Sequence, residues 1–491
     1  MAKENVICAN DCSPFYCSDE SKKGFRENEA WQKMLVHFSD SFMSDNHSIF
    51  HFFSNKRNKE DDMPFAQLLR DRDNKMQWFA GRWVGSVKTD NCTIKVLPRF
   101  GNLALFALLE EIFSINILDS LSDKDNAEQE TFIEQLIPFI WAKKLGAANK
   151  YGIPHTTVDI QHKGVAVKGR FLVRQSIVPF FKQKNVVSAT REKQVDAIIC
   201  RIVLQSYKLL NARHTFPISK MTESAKNAII GFENANVADY LVTPKEYGDI
   251  RYKSIYESWK DVVDLSWQII QYHHISQKES DAKQGFGLFV DMAEIWESFL
   301  RKKLGEGFAN DGWRVLSIDE CIYKIYKGKF YQRDIIPDII LEREQNGQKE
   351  YMVFDAKYKR MRGIKSSLKY SDVDRSDLFQ IHTYMQYVQQ NMGKVVIGGL
   401  LYPITQKGTN DDGTAFENTD IDMESYHSTH LFGDDGKDDT TPFIIDGILF
   451  SEVPEVLDNE SLDEQKIRDE SRRMAENIGK MIRRIKQTAN L

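Results

Sequence analysis

The sequence predicts a mixed α/β, multidomain protein: an α+β amino-terminal region, then a carboxy-terminal module with a mixed sheet flanked by helices. Three observations carry that expectation. At 491 residues the chain exceeds what one ordinary core holds. Beyond residue 285, strand-like apolar runs alternate with runs of helical spacing, as in a sheet covered by helices. Asn346-Gly347, set between alternating apolar runs, marks a two-residue hairpin, because both central positions of a type I′ turn need positive φ.

Taken in order, residues 1–75 are polar and mixed, with a charge run from Lys56 to Asp62 that reads as a loop, and form an amino-terminal extension. Trp83 to Val87 and Thr93 to Arg99 read as strands, the second ended by Pro98. Leu and Phe then recur at helical spacing from Leu103 to Ile117, and a longer helix is expected over about 131–150. Thr156 to Leu172 is strand-like, and helical patterns run from Lys193 to about Ile275, so that 76–276 forms one amino-terminal region. Gln277 to Gly287, polar and glycine-bearing, is the main boundary. The module at 285–455 is expected to run helix 288–304, strands near 314–326, 335–342 and 350–358, helix near 374–391, strand Lys394 to Leu401, an acidic loop at 406–440 and strand Pro442 to Phe450. Residues 456–491 carry Ile467, Met474, Ile478, Met481, Ile482 and Ile485 on a charged amphipathic terminal helix.

Composition narrows the class. Hydrophobic residues at 42% and charged ones at 28% suit a soluble globular chain. A net charge of −5 exerts no global pull on nucleic acid, so any such surface must be local. Cys8, Cys12 and Cys17 lie close together but lack a second cluster, and read as reduced thiols rather than a zinc site. The start lacks an apolar signal segment, and the most apolar stretch, Leu103 to Leu118, is interrupted by Glu110 and Glu111. A cytoplasmic protein without membrane association is expected.

The hairpin carries the chemistry. With Asn346 and Gly347 as the loop, Asp338 of Ile336-Pro337-Asp338 falls opposite Asp355 of Phe354-Asp355-Ala356-Lys357, and strand period two puts Lys357 on the same face as Asp355. Directly opposed carboxylates repel. A divalent cation between them reverses the sign, and oxygen ligands suit magnesium or manganese. Upstream, Leu288, Phe289, Met292, Ile295, Trp296, Phe299 and Leu300 share a helical face with Glu297 at its border, where a carboxylate reaches an adjoining cleft. Downstream, Gln380 and Tyr384 lie one helical turn apart. An isolated Asp-x-Lys or Gln-x3-Tyr is usually a solvated face; the order of all four pieces is the signal. Just beyond the site, Lys359, Arg360 and Arg362, with Lys365 and Lys369, form a basic cluster suited to DNA phosphates. Arg483-Arg484-Ile485-Lys486 is a second basic run, although cations suit a helix C-terminus anyway. No Gly-x4-Gly-Lys-Ser/Thr occurs, so the chain has no P-loop.

Acid on a helix, Pro-Asp, Asp-Ala-Lys and Gln-x3-Tyr, in this order, resemble a PD-(D/E)xK nuclease of the RecB-like branch. The wording Phe289-Val290-Asp291-Met292, Trp296-Glu297, Asp355-Ala356-Lys357-Tyr358-Lys359, Ser376-Asp377-Leu378-Phe379-Gln380 and Leu401-Tyr402-Pro403 is similar to McrC, the cleavage subunit of McrBC-type systems, a group that includes LlaJI-type subunits. Val84-Gly85 and Ile94 to Arg99 are similar to its amino-terminal region, with Pro98-Arg99 where Pro-Lys is common, and Val167-Lys168-Gly169-Arg170 fits loosely. The resemblance is specific over about 285–403, modest over 80–175 and absent over 1–75 and 406–491. It implies that Asp338 and Asp355 bind Mg2+ (or Mn2+) with the Ala356 carbonyl, that Lys357 serves the attacking water and the phosphate, that Glu297 is an accessory acid, and that Gln380 and Tyr384 orient the site or the DNA. It further implies an endonuclease acting on double-stranded DNA, docked through its amino-terminal half on a McrB-like AAA+ GTPase/NTPase hexamer, and dimeric through the nuclease domain. Two alternatives stand beside it: a stand-alone RecB-like repair nuclease, and a non-catalytic adaptor or activator of an AAA+ NTPase.

Overall fold

The computed structural model describes residues 5–17, 29–42, 49–52, 64–70, 76–88, 92–113, 132–214, 221–278, 286–324, 334–359, 373–409, 415–417, 429–431, 441–450 and 464–490. The chain forms two compact units, one made of Met1–Ile133 with Lys283–Leu491 and the other of Glu134–Ala282. The chain passes between the units after Ile133 and after Ala282.

The first unit holds two six-stranded sheets. The amino-terminal one runs Tyr16–Cys17, Asn5–Asn10, Cys92–Leu97, Trp83–Lys88, Phe286–Asp291, Ile49–Phe52. Its fifth strand corrects the helix expected from residue 288. Phe286–Asp291 is a strand, antiparallel to Trp83–Lys88 and parallel to Ile49–Phe52, and the helix begins at Met292. A short continuous apolar run is the pattern that periodicity cannot assign. The switch falls at Asp291, whose Oδ1 accepts from Ala293 N at 2.9 Å and so caps the helix. Phe38, Phe42, Phe65, Trp83 and Phe289 fill the core of this sheet, with Phe42 and Phe289 edge-to-face at 5.2 Å.

The second sheet runs Arg314–Val315, Ile339–Gln345, Gln348–Ala356, Lys394–Thr405, Thr441–Phe450, Thr429–Leu431 and is mixed. The hairpin pairs Ile339 with Phe354 through Gln345 with Gln348, the register expected from its turn, with Asn346 at φ 55° and Gly347 at φ 75°. Gln348–Ala356 and Lys394–Thr405 pair in parallel, as do Lys394–Thr405 and Thr441–Phe450. Val353, Leu400 and Tyr402 pack with Ile381, Tyr384, Met385 and Val388 of the helix Arg375–Asn391. Gly398 permits that close approach, because a Cβ there would overlap the Met385 side chain. The helix Met292–Phe308 packs on the hairpin strands, and Trp296 Nε1 donates to the Leu401 carbonyl at 3.2 Å.

The terminal helix Glu464–Thr488 buries Met474, Ile478, Met481 and Ile485. Its basic run is not a free cationic face: Arg484 is buried and donates through Nε and Nη2 to the two Asp446 oxygens, each at 2.8 Å, and Lys486 pairs with Asp311 at 2.6 Å. The expected loop at 406–440 lies mostly outside the described residues, as does the charge run at 56–62.

In the second unit, His155–Gly164, Val186–Val195 and Arg170–Phe171 form an antiparallel sheet. Its helices are Phe132–Ala148, Val173–Gln183, Ala197–His214, Glu223–Asn234 and Trp259–Lys278, apart from shorter turns. Trp141 Nε1 ties the first to the last of these through Ser266 Oγ at 2.7 Å. The helical stretch expected from Lys193 starts later, because the strand continues to Val195. Among the described residues no helix is long and apolar enough to cross a membrane.

Candidate active site

The hairpin ladder closes at Ile339 and Phe354, so Asp338 and Asp355 occupy the next opposed positions. Asp338 Oδ2 reaches across to accept from Ala356 N at 2.8 Å. The segment is also held from the helix: Arg301, one turn beyond Glu297, donates to the carbonyls of Asp338 and Leu316. Asp355 is 1% exposed. Neither of its carboxylate oxygens accepts a hydrogen bond, although Lys357 Nζ lies 2.8 Å from Oδ2 as an ion pair.

Lys357 is gripped by the neighbouring helix. Its Nζ donates to Gln380 Oε1 at 2.7 Å, and Gln380 Nε2 donates to Tyr384 Oη at 2.7 Å. Because i and i+4 share a helix face, the two residues form a relay behind the ammonium. Asp338, Asp355, Lys357, Gln380 and Tyr384 are thus brought together in one cluster, and Glu297 stands within electrostatic reach of both aspartates.

The charges do not balance locally. Burial, then Asp355 and Glu297, raise the Asp338 pKa well above the carboxylate range. Glu297 is pushed up to about 7 by burial, and by Asp355 and Asp291, against the opposing pull of Arg301 and Arg82. Burial works against the Lys357 charge, but Asp355 and Asp338 outweigh it and raise its pKa. Buried acids left short of cations are found where a ligand supplies the missing charge.

Three further residues lie in family-like stretches of the sequence that assign them no role. Asp377 is buried; both its oxygens accept from Lys359 Nζ at 2.9 Å, Oδ2 also accepts from Tyr402 Oη at 3.3 Å, and Oδ1 lies 3.8 Å from Lys357 Nζ. In sequence it reads as an ordinary first-turn helix acid. Asp291 is buried beside Glu297 and pairs with Arg82 at 2.9 Å. Arg99 is buried too: its backbone N donates to Asp11 Oδ1 at 2.5 Å, its Nη2 donates to the Lys359 carbonyl at 2.9 Å, and its guanidinium stacks on Tyr358 at 4.4 Å. All three depend on pairings across more than a hundred residues or between a strand end and a helix, and leave no local pattern.

The basic cluster is only partly described. Lys359 is engaged by Asp374 at 2.5 Å as well as by Asp377, so its ammonium is not a free phosphate contact in this structure. Arg360 and Arg362 lie outside the described residues.

The fold and cluster define a mixed α/β, multidomain protein whose second sheet presents opposed acids and a held lysine at one edge of its hairpin. The family profile described as McrBC 5-methylcytosine restriction system component matches residues 79–403, and the chain belongs to that family. Two solved structures are similar to it at 15% identity. One is a half-complex from a tetradecameric assembly of Thermococcus gammatolerans McrB AAA+ hexamers with bound McrC, with 96% of this chain and 100% of that chain covered at a TM-score of 0.45. The other is the Thermococcus gammatolerans McrBC complex, with 62% and 88% covered at a TM-score of 0.34. No curated protein matches the chain significantly.

Proposed function

We propose that this protein is the DNA-cleaving subunit of a McrBC-type restriction system, an endonuclease with a PD-(D/E)xK, RecB-like site that serves anti-phage defence. The observation that carries the reading is the under-compensated pair Asp338 and Asp355 with Lys357 held beside it. The donor set fits a hard divalent cation. It would consist of carboxylate oxygens and the Ala356 carbonyl, and both Asp355 oxygens are buried, with Lys357 beside Oδ2 alone. Among the described residues no three His, Cys, Asp or Glu gather into a ready-made cage. Magnesium, which keeps several waters and needs only one or two carboxylates, suits such a set, with manganese able to replace it.

Bound there, the cation would polarise a phosphodiester and lower the pKa of the attacking water. Asp338 and Asp355 are the residues that would hold it. Lys357 places its ammonium beside the scissile phosphate, where it stabilises the charge that develops as water oxygen bonds to phosphorus and the sugar oxygen departs. Gln380 and Tyr384 keep that ammonium aimed. Glu297, poised near neutrality, is the accessory acid. Cutting both strands of a duplex needs two such sites, hence a homodimer through the nuclease module.

Two features support a partner NTPase. The chain carries no P-loop. The second unit exposes large apolar side chains, Val165 at 82% and Phe181 at 79% together with Val173, Ile177 and Val178, in a stretch of sequence that also carries Lys168, Arg170, Arg174 and Lys182. Large apolar side chains exposed in this number suit a surface that another protein covers. We assign that role to an AAA+ GTPase ring, in line with the McrB hexamers that carry McrC in Thermococcus gammatolerans.

The test is a pull-down from native-host extract with a tagged Asp355→Ala chain as bait, in GTP or ATP. Stoichiometric recovery of an AAA+ NTPase supports the reading. Its absence with both nucleotides, alongside unaided cleavage of DNA ends, would favour the stand-alone nuclease.

A further inference from the structure

Asp377 is a buried carboxylate that the proposed chemistry leaves without a task. Its surroundings give it one. Lys357 Nζ stands between two buried acids, 2.8 Å from Asp355 Oδ2 and 3.8 Å from Asp377 Oδ1, with Gln380 Oε1 at 2.7 Å as the neutral third partner. A cation seated on Asp355 and an ammonium at 2.8 Å from Oδ2 of the same carboxylate repel each other, so metal binding favours a shift of the lysine away from Asp355. Moving it out to water would remove it from the phosphate. Moving it a short way toward Asp377 keeps it charged, compensated and still on Gln380.

Asp377 is built to receive it. The carboxylate is fixed by Tyr402 Oη and by Lys359, and it belongs to the first turn of the same helix that carries Gln380. We propose that Asp377 is a positioning residue, the anion that receives Lys357 when the metal occupies Asp355, so that cation binding and placement of the lysine for catalysis are one coupled event. This inference rests on the metal-site reading above and names the residue that makes the site switchable.

The bland alternative is that Asp377 serves only to pair with Lys359 and cap the sheet–helix contact. The experiment separates the two by reading metal affinity and stability apart from cleavage. Mn2+ is titrated calorimetrically into the full-length wild type and into Asp377→Asn, Asp377→Glu and Asp374→Asn. Asparagine keeps the volume and, with its carbonyl at the Oδ2 position, one contact each to Lys359 and Tyr402, while it removes the charge and the second acceptor. Asp374→Asn removes an equal charge from the same Lys359 partner without touching Lys357.

The expected result is a Mn2+ dissociation constant raised roughly tenfold by Asp377→Asn, the scale of one charge at ion-pair distance in a partly solvated site. Asp377→Glu should restore most of it, Asp374→Asn should leave it near wild type, and the melting temperature of Asp377→Asn should stay close to wild type. DNA cleavage by Asp377→Asn should lose kcat with little change in KM. Equal weakening by Asp374→Asn would reduce the effect to general electrostatics and overturn the proposal, as would wild-type affinity in Asp377→Asn. If Asp377→Asn fails to fold, Tyr402→Phe, which loosens the carboxylate while leaving it charged, decides in its place: a several-fold weaker site supports the role and an unchanged one overturns it. Should wild type itself bind no Mn2+, the metal-site reading falls, and this inference with it, an outcome distinct from the other two.

Discussion

Asp446 and Asp355 lie on parallel strands either side of the same central strand, where Asp446 pairs with Leu401 and Asp355 with Leu400. Both are buried. Arg484 closes a two-pronged fork on Asp446, one donor per oxygen at 2.8 Å, and so anchors the terminal helix to the sheet. Asp355 has a lysine at ion-pair distance, no hydrogen bond at either oxygen, and two further acids close by in Asp338 and Glu297. A rigid fork completes a carboxylate and leaves it nothing else to do. Three carboxylates that share one ammonium are destabilising until a further positive charge arrives. The difference separates a structural acid from a candidate catalytic one more sharply than burial does.

The largest effect that comparison predicts is on cleavage. Asp355→Asn should lower metal-dependent cleavage by about three orders of magnitude or more while leaving the chain folded, because it removes a repelling charge. Persistent cleavage by the folded variant would show that the site lies elsewhere.

Breaking the structural pair should do the reverse. Arg484→Met strands Asp446 in the sheet and should cost about 3–5 kcal/mol in chemical denaturation. Cleavage per folded molecule should change little. A cost under ~1 kcal/mol, the level of an exposed pair, would mean that the fork is not what secures the terminal helix.

A third effect follows from Glu297. Its folded pKa of about 7 lies above that of an unfolded glutamate, so the folded state binds the proton more tightly. The stability this contributes is fully present below the unfolded value and is lost as pH rises through the folded one. In chelator-treated protein, wild type should therefore lose melting temperature relative to Glu297→Gln between about pH 5 and about pH 7.5. A difference of the opposite slope would show that the acids are already compensated.

The smallest effect concerns the hairpin itself. Asn346→Ala places a side chain poorly suited to positive φ in the type I′ turn and should cost about 1 kcal/mol without altering cleavage. That turn is also where the sequence was most legible. Two residues determine the register, and the register brings Asp338, Asp355 and Lys357 to one place; helical spacing adds Gln380 and Tyr384. Legibility failed where the determinant was tertiary. Phe286–Asp291 looks like the start of a helix because an apolar run has no period of its own, and only its pairing with Trp83–Lys88 makes it a strand. Arg82 with Asp291 and Arg99 with Asp11 join distant parts of the chain, Asp377 with Lys357 joins a helix to a strand end, and an ion pair writes no periodicity into either partner. The terminal basic run hides its anchor for the opposite reason: Arg484 resembles Arg483 beside it in sequence and differs in being buried against Asp446.

Electron paramagnetic resonance of Mn2+ titrated into wild type and Asp338→Asn tests most directly whether the acid cluster awaits a cation. Wild type should give bound, signal-broadened Mn2+ that is largely lost in Asp338→Asn, with both proteins folded. Free Mn2+ throughout the wild-type titration, or binding that Asp338→Asn leaves intact, would contradict it.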